Sequence, residues 1–190
     1  IENALKIVTE AKKCGLKFLK LQTYTPNTIT LDSKKKDFRI SDKKSIWYGK
    51  TLHTIYKEAY TPWEWHEKII KKCKTLGITC FSTPFDVTAV DFLEKLNVPA
   101  YKIASFEITD FQLIQRVART KKPIILSTGM ATKLEIREAL NIIKKNGNNK
   151  IAILKCTSAY PAPYENVNLK TIKNMREIFN CEVGLSDHTL

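Results

Sequence analysis

Six short apolar runs, each ending in a small group of polar residues, constrain the fold of this chain more than any other feature. The run ends are residues 19–23, 81–84, 101–105, 126–129, 154–158 and 185–188. The corresponding strands are expected to begin near Lys17, Ile78, Ala100, Pro123, Ile151 and Glu182. Buried strands that become polar only at their C-terminal ends are typical of a parallel sheet with its functional site at that edge.

The segments between these strands carry helical patterns. Apolar residues recur at helical spacing in 89–93, 136–143 and 169–178. Helix ends are marked by the glycines that precede strands, which are Gly15, Gly77 and Gly147. The run Thr61-Pro62-Trp63-Glu64 predicts a helix start with a capping box and with proline at the first helical position. Strict alternation of strands and helices predicts an α/β fold with a parallel sheet.

One segment departs from this alternation. Residues 25–60 separate the first strand from the next long helix, and loops of this length in a compact domain are usually functional. We expect an irregular excursion over the site, with a short helix at 52–59.

Six strands suit either an open doubly wound sheet or part of a closed barrel. The glycine-rich phosphate-binding fingerprint of the doubly wound fold is absent. Both chain ends look cut from something longer, since Ile1 already lies in a helical pattern and Leu190 follows a strand end. We therefore expect residues 1–190 to form one domain, a (β/α)8 TIM barrel truncated to about six of its eight strands.

The amino-acid composition limits which kinds of binding partner and which cellular compartment are expected. The chain has 32 basic and 19 acidic residues and a formal charge of +13. The basic residues are mostly scattered lysines without a docking motif, so we expect neither a nucleic-acid nor a membrane partner, although the charge favours capture of an anion. The cysteines are five in number with no CxxC pair, which is typical of a reduced cytoplasmic protein.

Two lysines near strand ends are the first candidates for chemistry. Lys20 and Lys102 are flanked by apolar residues, and a lysine in such a position is costly unless it meets an anion or reaches solvent. Schiff-base chemistry is a third alternative. Lys155 is a further candidate, and the sequence leaves open which of the three points towards the site.

Hydroxyl groups accompany these lysines. The strand-end hydroxyl residues are Thr83, Ser105, Ser127, Thr157, Ser158 and Ser186. Around lysines, such a set suits a phosphate or a carboxylate. Glu107 is the best carboxylate at this edge, or else a helix-entry residue. His188 suits a general base, a metal ligand or a structural hydrogen bond.

Several of these segments are long enough to resemble a known family. The chain is similar to the sialic acid synthases in the order and spacing of its motifs. These are Lys20-Leu21-Gln22-Thr23, Phe81-Ser82-Thr83-Pro84-Phe85-Asp86, residues 99–105, 126–130 and 156–163, and Gly184-Leu185-Ser186-Asp187-His188-Thr189-Leu190. Within the family, residues 61–66 and Ser105-Phe106-Glu107-Ile108 look most like the branch that makes pseudaminic acid. The sialic acid synthases proper usually have glycine where Phe106 stands.

The resemblance implies a TIM barrel that condenses phosphoenolpyruvate with an acetamido-sugar, here 2,4-diacetamido-2,4,6-trideoxy-altrose, to give a nonulosonic acid and phosphate. By position, the phosphoenolpyruvate ligands would be Lys20, Thr83, Lys102, Ser105, Ser127, Ser158 and Ser186. The residues facing the sugar would be Gln22, Glu107 and Tyr160. Glu107 and His188 would be catalytic, and His188 would also bind a divalent metal, Mn²⁺ or else Mg²⁺ or Co²⁺.

The resemblance also implies parts that this chain lacks. They are the family's first strand, its eighth strand with a second metal-binding histidine, and a C-terminal antifreeze-like domain that caps the partner barrel in a homodimer. The alternatives are an N-acetylneuraminate or legionaminate synthase that takes an N-acetylmannosamine-type sugar, a Schiff-base aldolase, and a barrel that binds without catalysis.

Overall fold

The computed structural model describes residues 1–190. Its strands are β1 (Phe18–Thr23), β2 (Thr79–Pro84), β3 (Tyr101–Ile103), β4 (Ile124–Ser127), β5 (Ile151–Cys156) and β6 (Glu182–Ser186). Its helices are α1 (Glu2–Lys13), α2 (Pro26–Ile29), α3 (Leu52–Ala59), α4 (Trp63–Thr75), α5 (Val87–Lys95), α6 (Phe111–Arg119), α7 (Lys133–Lys145) and α8 (Thr171–Phe179). The six strands form one sheet in chain order, and β2 to β6 pair in parallel. The predicted α/β fold with a parallel sheet is confirmed.

The chain divides into two compact units. The first unit contains residues 1–80 and 84–96, and its core packs α1 and α4 against the beginning of the sheet. Val8, Ile69 and Cys73 are the buried centre of this core, and Leu19 and Leu21 of β1 pack against them. Apolar side chains at alternate positions of β1 therefore face the helices, which leaves Lys20 and Gln22 on its opposite, exposed face.

The second unit contains residues 81–83 and 97–190. Strand register aligns its most buried side chains into one layer, because Tyr101 pairs with Ile124 and Leu126 pairs with Ile153. All four are at most 1% exposed. Each such apolar side chain stabilises the fold by about 1.5–3 kcal/mol through removal from water. Residues between them in sequence necessarily lie on the other face of the sheet.

Helix ends follow the predicted signals with one exception. Gly15, Gly77 and Gly147 have positive φ values of 79°, 67° and 69° and end their helices as expected. The predicted capping box at Thr61 is wrong. Pro62 is the N-cap of α4, with φ −52° and ψ 133°, and no side chain caps the helix. The helix begins one residue later than expected because Pro62 has extended rather than helical backbone.

The long segment after β1 contains the predicted helix at Leu52–Ala59, which confirms that expectation. The rest of the segment is largely irregular, with the short helix α2, a 3₁₀ turn at Lys36–Phe38 and an antiparallel bridge between Arg39 and Thr51. None of the helices combines the length and the apolar character that a membrane crossing requires.

Candidate active site

Four predicted site residues share one face of the sheet in the second unit, and they are Thr83, Lys102, Ser127 and Ser186. The register pairs Ser82 with Tyr101 and Lys102 with Ile125. Thr83 and Lys102, which follow Ser82 and Tyr101, therefore lie on the face opposite the buried layer. Ser127 lies on that face as well, two residues after Ile125. Cys156 pairs with Ser186 on the same face, at the carboxyl ends of β5 and β6.

Lys155 lies on the other face, which distinguishes it from Lys102, a choice that the sequence left open. It neighbours Cys156 in β5 and is only 9% exposed. Its Nζ donates a hydrogen bond of 2.6 Å to Oγ1 of Thr157. Lys102, not Lys155, therefore belongs to the candidate site.

Three hydroxyl groups at this edge are buried without a partner. They are Oγ1 of Thr83, Oγ of Ser127 and Oγ of Ser158, which we call the hydroxyl set. Thr83 and Ser127 are each only 1% exposed. Leaving a buried polar group unsatisfied costs about 1–3 kcal/mol, and native proteins seldom retain such groups without a reason. A hydroxyl can donate to an anionic oxygen, so the set fits an anionic ligand.

The turn after β4 organises a fourth hydroxyl. The Thr128 N–H and Oγ1 both donate to the Leu154 carbonyl, at 3.1 and 2.9 Å, which ties the end of β4 to β5. The Gly129 N–H then donates to Oγ of Ser105 at 3.1 Å. Ser105 is 8% exposed and begins the 3₁₀ turn Ser105–Glu107 after β3.

Lys102 supplies the positive charge at this edge. Burial lowers the pKa of its ammonium group, while Cys156 and Glu107 nearby raise it in part. A buried ammonium group is stabilised when an anion arrives, because the anion restores the interactions that the ammonium loses on leaving water. Lys102 and the hydroxyl set therefore offer complementary contacts to the same kind of ligand.

Glu107 has a pKa that suits proton transfer at neutral pH. Burial raises the pKa of its carboxyl to about 7, Asp110 adds to the rise, and a backbone hydrogen bond and Lys102 oppose it. Its Oε2 is buried without a hydrogen-bond partner. A carboxyl with a pKa near 7 can both donate and accept a proton at neutral pH, which is what general acid–base catalysis requires.

His188 is held by contacts around its ring. Nδ1 lies 2.9 Å from the Thr157 carbonyl and so carries the proton of that hydrogen bond. Nε2 then keeps a lone pair, with Oγ of Ser186 at 3.3 Å. Tyr160 packs on the imidazole with ring centroids 4.3 Å apart. A carbonyl partner on one nitrogen and a lone pair on the other is the usual arrangement of a metal-binding histidine.

The residues present thus fit a metal at one ligand position. No group of three or more His, Cys, Asp and Glu side chains is gathered closely enough to hold a metal ion. His188 would be one ligand, and further ligands would have to join it.

The predicted residues are distributed between the two units. Thr83, Lys102, Ser105, Glu107, Ser127, Ser158, Tyr160, Ser186 and His188 lie in the second unit. Lys20 and Gln22 lie in the first, at alternate positions on one face of β1, and their roles stay predictions. The sequence did not single out Gly129 or Cys156. Their contribution depends on contacts between separate strands, for which the sequence carries no local signal.

Taken together, the parallel sheet and the lysine, hydroxyl and carboxyl groups at its carboxyl edge define an α/β protein of the barrel class with a candidate site whose groups suit an anion. The sequence profile described as the NeuB family matches residues 7–190, and the chain belongs to this family. Family membership confirms the resemblance that the motifs indicated.

Individual relatives sharpen this comparison. The chain is 46% identical to pseudaminic acid synthase of Campylobacter jejuni serotype O:23/36 (strain 81-176), over 100% of this chain and 54% of that protein. It is 37% identical to N,N'-diacetyllegionaminic acid synthase of Campylobacter jejuni serotype O:2, over 98% of this chain and 56% of that protein. The chain thus spans about half the length of the curated relatives it matches.

A solved structure supports the fold. The crystal structure of N-acetylneuraminic acid (sialic acid) synthetase from Leptospira borgpetersenii in complex with citrate superposes with a TM-score of 0.85 at 26% identity. The match covers 98% of this chain and 59% of that chain. The predicted barrel-type fold, with six strands in this chain, is confirmed.

Proposed function

We propose that the full-length protein condenses phosphoenolpyruvate with 2,4-diacetamido-2,4,6-trideoxy-altrose to give pseudaminic acid and inorganic phosphate. The observation that carries this proposal is that the hydroxyl set and Lys102 share the carboxyl edge of the sheet, where three buried hydroxyls lack partners and the ammonium group is partly buried. Similarity favours the pseudaminic branch, since the identity is 46% to a pseudaminic acid synthase and 37% to a legionaminic acid synthase.

Phosphoenolpyruvate carries a phosphate and a carboxylate on one small framework, so it needs several donors from different directions. Lys102 and the hydroxyl set would bind it, together with Ser105 and Ser186. Charge-assisted hydrogen bonds from such donors are about twice as strong as neutral ones. Binding would at the same time satisfy hydroxyls that are otherwise buried without partners.

The proposed reaction needs one proton to be delivered and one to be removed. Carbon C3 of phosphoenolpyruvate attacks the sugar aldehyde carbon, whose oxygen takes up a proton and becomes a hydroxyl. Water then adds at C2 and loses one proton, which leaves a hydroxyl at C2. The C–O bond to phosphate then breaks, the C2 hydroxyl becomes the keto oxygen, and its proton leaves with the phosphate. With a pKa of about 7, Glu107 can donate the first proton and recover the second, so a single carboxyl serves both steps.

His188 would bind a divalent metal, which we propose to be Mn²⁺, with Mg²⁺ and Co²⁺ as alternatives. The metal would supply Lewis-acid polarisation of the aldehyde oxygen. The chain's own contribution is to hold the ring, since the Thr157 carbonyl fixes the proton on Nδ1 and leaves the Nε2 lone pair for the metal. Tyr160, packed on this ring, would line the sugar site beside Glu107.

Product mass spectrometry on the full-length protein tests the proposal. The protein is incubated with phosphoenolpyruvate, Mn²⁺ and two competing sugars, the diacetamido-trideoxy-altrose and N-acetylmannosamine. We expect a nonulosonic acid from the altrose sugar alone. Product from N-acetylmannosamine would move the protein to the sialic acid branch, and absence of product from both sugars would contradict a synthase.

A Schiff-base aldolase is the second candidate, and the lowered pKa of Lys102 favours it, because a neutral amine is nucleophilic. Borohydride reduction in the presence of pyruvate separates the two. If the protein is an aldolase, borohydride will fix pyruvate on Lys102 and the mass of the protein will rise by that of the reduced adduct. If it is the proposed synthase, its mass will stay unchanged.

The remaining proposals concern the whole protein. We propose that it is a homodimer with a further C-terminal domain, as the family resemblance implies. A cytoplasmic location agrees with the five cysteines, all of which are free thiols. Sedimentation of the full-length protein tests the dimer.

A further inference from the structure

Gly129 occupies a crowded position in the turn after β4, among side chains at the carboxyl edge of the sheet. A Cβ built on this residue would overlap Oγ of Ser158 and would lie 3.0 Å from Oγ of Ser105 and 3.3 Å from Sγ of Cys156. These three neighbours come from the ends of β3 and β5. All three lie within 3.3 Å of the position that a Cβ would occupy, so any side chain at this position would push them away.

The backbone conformation does not explain a glycine here. The residue of this turn with a positive φ is Met130, at 66°, and not Gly129. An alanine at 129 would meet no backbone penalty from the left-handed region. Glycine is therefore needed at this position for space rather than for conformational freedom.

The Gly129 N–H also orients a hydroxyl. It donates to Oγ of Ser105 at 3.1 Å, so this oxygen already accepts a hydrogen bond. The Ser105 proton stays available to be donated elsewhere. Ser158, the nearest neighbour of the same Cβ position, has a buried Oγ without a partner. Both hydroxyls are thus arranged to donate to an anionic oxygen.

We propose that Gly129 is a positioning residue of the anion site: its missing side chain lets Ser158 and Ser105 converge, and its N–H turns the Ser105 hydroxyl towards a phosphate or carboxylate oxygen. This inference rests on the proposed function for the identity of the ligand. The convergence itself rests on the contacts of Gly129 alone.

A double-mutant cycle in the full-length protein tests the proposal, with phosphoenolpyruvate and inorganic phosphate titrated separately by calorimetry. We expect Gly129→Ala to weaken phosphoenolpyruvate binding at least tenfold in the wild-type background. In the Ser158→Ala background the overlapping oxygen is gone, so the same change should cost less than threefold. Equal losses in both backgrounds would overturn the proposal, because Gly129 would then not act through Ser158.

Gly184→Ala is the matched control, since it adds the same methyl group to a β6 glycine whose nearest neighbour is the flexible Leu154 side chain, at 3.0 Å. We expect this variant to bind within threefold of wild type. In steady-state kinetics Gly129→Ala should raise the KM for phosphoenolpyruvate and leave the KM for the sugar within twofold. A parallel rise of both values would indicate general distortion and would contradict positioning.

The same set of variants distinguishes a loss of folding from a loss of ligand binding. If Gly129→Ala alone does not fold, the Gly129→Ala/Ser158→Ala double variant should fold and bind like Ser158→Ala, and a double variant that also fails to fold would overturn the proposal. Phosphate binding that depends on Gly129 without any binding of phosphoenolpyruvate would refute the proposed function and retain this inference. Wild-type binding of neither probe would refute both.

Discussion

Tyr160 lies over the imidazole of His188, with ring centroids 4.3 Å apart and an angle of 33° between the planes. The same imidazole donates from Nδ1 to the Thr157 carbonyl at 2.9 Å. Ring packing on one face and a hydrogen bond at one edge fix the direction of Nε2. Because Tyr160 is 72% exposed, its ring extends this arrangement towards solvent.

His188→Gln is expected to weaken Mn²⁺ binding to the full-length protein at least about tenfold, because the imidazole lone pair is lost. Electron paramagnetic resonance of free Mn²⁺ measures this affinity without reference to turnover. His53→Gln is the control, since His53 lies on α3 and bonds Asn27 at 2.8 Å. Unchanged Mn²⁺ affinity in His188→Gln would remove this residue from the metal site.

Lys102→Met is expected to lower phosphoenolpyruvate affinity at least about 100-fold, because a buried anion would lose its ammonium partner. Lys155→Met is the matched control, because that lysine lies in the next but one strand on the opposite face and bonds Thr157. Calorimetry should show binding within threefold of wild type for this control. Equal losses in the two variants would mean that the lysines act only through net charge.

These two lysines also show how far the sequence could predict the site. Strand starts were predicted within one residue, because buried parallel strands leave long apolar runs. The sequence could not predict that Lys102 and Lys155 lie on opposite faces of the sheet, since the face of each residue depends on strand register. The pairings of Lys102 with Ile125 and of Lys155 with Leu185 decide it. Gly129 was overlooked for the same reason, because its three close neighbours come from other strand ends.

Glu107 should make the stability of the chain depend on pH. Its pKa is about 7 in the folded chain, against an ordinary value of 4.5, so the folded state binds more protons between these pH values. The free energy of unfolding should therefore fall as pH rises from 4.5 to 7, by about 3 kcal/mol from this group. Urea denaturation at a series of pH values should show this fall in wild type, and the Glu107→Gln difference curve should isolate it. A difference curve that is flat across the range would contradict a buried carboxyl of raised pKa.

His66 should have the opposite dependence, in the first unit. Its side chain is 0% exposed, with Nε2 at 2.9 Å from Oγ1 of Thr23 and the edge of Phe92 at a centroid distance of 5.4 Å. Burial lowers the pKa of the imidazole from 6.5, so the unfolded chain takes up a proton that the folded chain does not. The free energy of unfolding should fall as pH drops below 6.5, with a slope of at most about 1.4 kcal/mol per pH unit.

His66→Gln removes this titration, and an amide at the same position can still bond Thr23. The wild-type and variant stabilities should run parallel above pH 7, whatever their offset, and below it the wild type should lose stability relative to the variant. Chemical denaturation at pH 8, 7, 6 and 5 measures both curves. Curves that stay parallel down to pH 5 would mean that His66 titrates alike in the folded and unfolded chains, and that its burial imposes no cost on the charged form.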